Sequence, residues 1–165
     1  MIALQIEDVK HFMNLLLLST PFDSFLLVEG SIKAGVTYHL DGTYNLEFYD
    51  QEKQADLKEQ QFCSWQEQRN LVFSMIKGNR TPLSFKFVLK LSKKATEDFI
   101  DTYHLPLSYT DVNGLFFNIL FDHNQLSVVT GVSYSIFTLD KKLDTLFDEF
   151  AKKFLSQHQI PYIEK

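Results

Sequence analysis

The side chains able to do chemistry are few and scattered along the chain. Five histidines occur, His11, His39, His104, His123 and His158, and no two are spaced as a metal pair on one element. Isolated histidines of this kind read as surface or satisfied core groups. Cys63 is the only cysteine. A nucleophilic thiolate needs an activating neighbour, and Phe62, Ser64 and Trp65 supply none, so Cys63 reads as a half-buried small hydrophobe. With no second cysteine there is no intrachain disulfide, which fits a reducing compartment.

Asp41 and Asp122 fall at the tips of two expected hairpins, with His39 and His123 beside them. Converging tips would place acid/base or metal groups together. The simpler reading is turn chemistry, in which Asp bonds its own backbone. Asp111 and Asn113 before Gly114 read as another turn, and Lys141 and Lys142 as a solvated first helical turn. Trp65 is either a core residue or an aromatic anchor at an interface. The chain has no Gly-rich phosphate loop and no HExxH, CxxC or GxSxG. No catalytic or metal-ligating set and no cofactor are therefore expected. Trp65, His39, Asp41, Asp122 and His123 stand as interface or site candidates.

The elements that must position these residues can be read from periodicity. Ile2, Leu4 and Ile6 alternate as a strand, and Val9, Phe12, Met13, Leu16 and Leu17 then share one helix face behind the cap Asp8. Residues 25–40 favour extended structure, and Asp41-Gly42 signals a hairpin into residues 43–48. Residues 50–61 are polar and read as a loop. Ser64 and Glu67 form a capping box opening a helix with Trp65, Leu71, Val72, Met75 and Ile76 on its apolar face. The pattern then restarts. Phe85, Phe87, Leu89 and Leu91 alternate, and Ser92 caps a helix carrying Ala95, Phe99, Ile100 and Tyr103. Residues 115–121 read as a strand, Asp122-His123-Asn124 as a turn, and 126–130 and 132–139 as two further strands. Asp140 caps a last helix with Leu143, Leu146, Phe147, Phe150 and Phe154 on one stripe.

This order predicts a single α+β domain of about seven strands and four helices, with a mainly antiparallel sheet and helices on one face. Residues 1–80 and 82–157 would be two tandem strand–helix–strand–strand repeats. Sixteen Phe among 165 residues imply a well-filled core.

A net charge of -5 argues against a dedicated nucleic-acid binder, whose affinity comes from a basic patch. No apolar run approaches the roughly 20 residues that span a bilayer, and the first residues lack a basic export signal. The expectation is a cytoplasmic protein with no membrane contact, and a homo-oligomer or a protein as its partner.

Two resemblances bear on this reading. Glu7-Asp8-Val9-Lys10 with Phe12-Met13, Thr81-Pro82-Leu83-Ser84-Phe85-Lys86, Asp111-Val112-Asn113-Gly114-Leu115-Phe116, Thr130-Gly131 and Phe137-Thr138-Leu139-Asp140-Lys141 resemble an uncharacterised, Clostridia-type bacterial protein family of unknown function. That likeness covers nearly the whole chain and implies no activity. The repeated layout, carried by residues 2–18 and 85–103, is also similar to one domain of a sliding DNA clamp, and equally to the TATA-binding-protein layout. Clamps line their DNA-facing helices with Lys and Arg. Here Glu7, Lys10, His11 and Asn14, then Lys93, Lys94, Glu97, Asp98 and Asp101, make a mixed, solvated face.

The expected function is a non-catalytic binding or assembly module, more in keeping with the residues than an enzyme. The alternatives are a small enzyme with its site at the hairpin tips and a clamp-like DNA-associated protein.

Overall fold

The computed structural model describes residues 1–165 as an α+β domain. Its seven strands are β1 (Ala3–Ile6), β2 (Leu26–Lys33), β3 (Thr37–Asp41), β4 (Ser84–Lys90), β5 (Val112–Asp122), β6 (Gln125–Tyr134) and β7 (Tyr162–Glu164). Its five α-helices are α1 (Val9–Leu18), α2 (Gln51–Gln60), α3 (Trp65–Ile76), α4 (Lys93–Thr102) and α5 (Lys142–Gln157). The strands form one sheet in the order β3-β2-β4-β5-β6-β1-β7, and every pair is antiparallel.

Alternation decides which side of the sheet is buried. Leu4, Ile6, Ile32, Phe85, Phe87, Leu89, Leu115, Phe117, Ile119, Leu126 and Val128 all lie against the helices and are nearly or wholly inaccessible. Phe12 and Leu16 of α1, Trp65 and Val72 of α3, Phe99 and Ile100 of α4, and Phe147, Ala151 and Leu155 of α5 complete this core. Aromatic contacts join the layers: Phe117 packs on Phe147, Phe150 and Phe154, and Trp65 packs on Phe87. The other face carries Glu29, Lys86, Asn118 and Ser127 and remains at least partly open. No helix is long and apolar enough to cross a membrane.

The caps Asp8 and Ser92 accept from the His11 and Ala95 N–H groups, and Ser64 with Glu67 closes the capping box. Asp140 accepts from the Lys142 N–H, while the cap position itself is Lys141, one residue later than expected.

Several expectations are corrected. Residues 50–61 are not a loop. They hold α2, a helix with no buried residue, built from strong helix formers that give no apolar period to read. Asp41-Gly42 is not a hairpin turn. The hairpin turns at residues 34–36, and Asp41 ends β3. Residues 132–139 do not form a separate strand, because β6 runs on to Tyr134 and a loop follows.

The repeat in element order does not extend to pairing. β4 lies in the sheet interior between β2 and β5, whereas β1 lies between β6 and the short β7. The first helices of the two halves also take different neighbours. α1 packs on α3, while Phe99 of α4 packs on Phe147 and Phe150 of α5. Phe12, Leu16 and Phe99 are buried, but Tyr103 is exposed.

Candidate functional site

The candidate site begins at Gly42. Its N–H donates to the Val28 carbonyl at 2.9 Å, and its carbonyl accepts from the Cys63 N–H at 2.8 Å. A Cβ at this position would lie 1.7 Å from the Leu27 carbonyl oxygen, so only glycine allows the chain to pass here. Beyond it the Tyr44 N–H donates to the Gln61 carbonyl at 3.0 Å, and Thr43 bridges to Phe62. Residues 43–44 and 61–63 are thereby held side by side. The chain between them bulges out as a short 3-10 turn (Leu46–Phe48) followed by α2.

The bulge encloses a cleft of about 340 Å³ at the β3 edge of the sheet. Tyr44, Phe48 and Tyr49 line it together with His39, Asp41, Cys63 and Glu67. The rings meet nearly at right angles. Tyr44 and Tyr49 are 5.7 Å apart at 88°, and Phe48 and Tyr49 are 5.3 Å apart at 86°. α2 holds this arrangement in place. Gln54 Nε2 donates to the Tyr49 carbonyl at 2.9 Å, and Gln60 Nε2 donates to the Phe62 carbonyl at 2.8 Å and to the Tyr44 hydroxyl at 3.3 Å.

The polar groups of the cleft are tuned by their neighbours. The Tyr44 hydroxyl donates to Glu67 Oε1 at 2.8 Å. Burial, and then this carboxylate, push the Tyr44 phenol well above its ordinary pKa, so it stays a neutral donor. Burial pushes the Cys63 thiol up to about 11, with the Glu67 charge adding to the shift. At neutral pH Cys63 is a thiol, the unreactive form. The Asp41 carboxylate accepts from the Thr43 N–H at 2.9 Å, and Thr43 holds its pKa below the usual value.

The sequence candidates are distributed as follows. His39 and Asp41 both line the cleft. Asp122 and His123 lie elsewhere, in a separate depression with Lys33 and Ser84. The two acid–histidine pairs therefore do not converge. Asp122 and His123 do sit at a hairpin tip: His123 and Asn124 both have positive φ, 48° and 60°, as a two-residue turn between β5 and β6 requires. His123 Nδ1 is 3.0 Å from Asp122 Oδ2, with both side chains mainly in solvent. Trp65 is not an interface anchor. It is fully buried, and its Nε1 donates to the Leu16 carbonyl at 2.7 Å. No cluster of three or more His, Cys, Asp or Glu side chains is arranged to hold a metal ion.

The sequence does not mark Tyr44, Phe48 and Tyr49 as site residues, and it marks Glu67 only as half of a capping box. The available signal is three aromatics close together, Tyr44 and Phe48 alternating with polar residues as in a strand, with Phe48 left 84% exposed. Tyr44 packs partly against the core, whereas Phe48 serves no core and leaves an exposed aromatic beside the cleft.

No curated protein and no solved structure matches the chain. A family model matches residues 15–163, a span that takes in the whole cleft. The chain belongs to DUF5721, a family of unknown function.

Proposed function

We propose that the protein is a non-catalytic binding module that takes up an extended segment of a protein partner along the β3 edge, with one side chain of that segment seated in the cleft. The observation that carries this reading is the geometry of β3. Gly42 donates to Val28, and the Val36 carbonyl accepts from the Ala34 N–H, so the even-numbered residues of this ladder bond to β2. Alternation in an antiparallel pair then directs the backbone groups of Thr37, His39 and Asp41 outward. β3 is an edge strand, largely exposed, and it leads straight into the cleft. An open edge beside a pocket is the arrangement by which sheets add a peptide strand, with the backbone giving affinity and the pocket giving selectivity.

Binding is favoured over catalysis by the raised Cys63 thiol and by the separation of the two acid–histidine pairs. A clamp-like role on DNA lacks a basic strip, since the outer sides of α1 and α4 carry both signs of charge. The lone cysteine fits a reducing, cytoplasmic setting.

The test is selection of extended peptides from a random library on the full chain, followed by amide exchange on the complex. The Thr37, His39 and Asp41 amides should gain protection, and His39→Pro should abolish selection by removing an outward donor. Absence of any peptide binding tighter than about 100 μM, or protection confined to another surface, overturns the reading. A concentration-dependent dimer that protects the same amides would instead make a second copy the partner.

A further inference from the structure

The cleft itself constrains what can enter it. Three aromatic rings line a single cavity, and Tyr49 stands nearly perpendicular to both Tyr44 and Phe48, at centroid distances of 5.7 and 5.3 Å. Two carboxylates, Asp41 and Glu67, share the lining, and no Lys or Arg does. The cavity is at the small end of ligand pockets, which run from about 300 to 1,000 Å³. Ring faces carry negative potential, and aromatic rings lining one volume attract a cation, best when the cation is large and weakly hydrated. Alkyl groups on a nitrogen provide both properties: they cover the rings and spread the charge.

We infer that the cleft selects an alkylated ammonium group, held against Tyr44, Phe48 and Tyr49 and balanced by Asp41 and Glu67. This rests on the cleft being a binding site and names the chemistry of its ligand. The two carboxylates are suited to the role in different ways. Asp41 is kept ionised by the Thr43 N–H. Glu67 is fixed in direction by Ser64 and Tyr44, so its charge is already oriented before a ligand arrives. Phe48 touches Tyr49 yet stays largely exposed, and a bound cation would cover it.

The experiment is an NMR titration of the full chain with choline and, in parallel, with its uncharged isostere 3,3-dimethylbutan-1-ol. Saturable shifts around Tyr44, Phe48 and Tyr49 are expected for choline, with the isostere at least about tenfold weaker. Phe48→Ala, an exposed position that does not threaten folding, should weaken choline roughly threefold to thirtyfold, the range of one cation–π contact. Equal binding of the isostere, an unchanged affinity in Phe48→Ala, or no saturable binding of choline overturns the assignment. A second arm separates a free cation from a side chain. A strand-forming peptide with one trimethyllysine is compared with the same peptide carrying norleucine. Preference for trimethyllysine with protection of the β3 amides supports both the cation and the edge. Edge protection without preference defeats the cation alone. Choline binding without edge protection by either peptide supports a free organic cation and defeats the edge reading alone.

Discussion

The Tyr44 hydroxyl donates to Glu67 Oε1 at 2.8 Å, and that same oxygen accepts from the Ser64 N–H at 3.3 Å and the Ser64 hydroxyl at 3.0 Å. One carboxylate oxygen therefore joins the wall of the cleft to the first turn of α3. Replacing either side chain should loosen the other. In a double-mutant cycle of Tyr44→Phe and Glu67→Gln, urea melts should give a coupling of about 0.5–1.5 kcal/mol. A coupling below about 0.2 kcal/mol would show that the two sites are independent.

Trp65 joins two helices by a different device. The last carbonyls of α1 have no partner within the helix, and the Trp65 indole supplies one to Leu16 at 2.7 Å in a fully buried setting. Trp65→Phe keeps most of the apolar area and removes the donor. A loss of about 1–3 kcal/mol is expected, the cost of an unpaired buried group. Leu16→Ala and Phe147→Ala, both at fully buried positions, should each cost about 2–5 kcal/mol. Changes under about 0.5 kcal/mol in denaturant melts would contradict the packing.

Gly42→Ala tests the crossing that shapes the cleft. The added methyl would meet the Leu27 carbonyl oxygen at 1.7 Å, and backbone has little room to yield. The expected loss is at least about 3 kcal/mol, the upper end for overpacking. Gly35→Ala is the control, since nothing lies within 4 Å of its Cβ. Its melting should stay within about 1 kcal/mol of the parent. Similar losses in the two variants would sink the close-approach account.

Cys63 gives the fold a signed pH dependence. Its pKa rises from 9.0 to about 11 on folding because burial disfavours the thiolate. Between these values the unfolded chain releases the proton and the folded chain keeps it, so stability falls as pH rises from about 9 to about 11. Cys63→Ala should flatten this segment of the stability curve. Alkylation by iodoacetamide should be slow at pH 8 and accelerate only as pH approaches 11. Rapid labelling at pH 8 without unfolding would contradict the burial of the thiol.

The elements most legible in the sequence are those whose reasons are local. Ile2, Leu4 and Ile6 alternate because one face of β1 is buried, and Asp8, Ser64 and Ser92 announce helix starts because a cap needs only its own next turn. The turn at Asp122–Asn124 is local in the same sense. His39 and Asp41 were recognisable as candidates by type, but nothing nearby in sequence ties them to Tyr49 or Glu67.

What the sequence by itself determined was the set of amphipathic pieces and an α+β class, since period and caps act over a few residues. Tertiary structure alone decided the strand order, the placement of β1 beside β6 instead of beside β2, and the cleft. The physical reason is clearest at residues 42–60. Asp41-Gly42 resembles a hairpin turn, yet the glycine is there for a long-range approach to Leu27. α2 has no apolar stripe to reveal it, because its work is done by Gln54 and Gln60 reaching polar atoms of Tyr49, Tyr44 and Phe62. Hydrogen bonds from polar side chains, whether to backbone a few residues away or to the Tyr44 hydroxyl, leave no apolar period in a sequence, and those contacts help build the cleft.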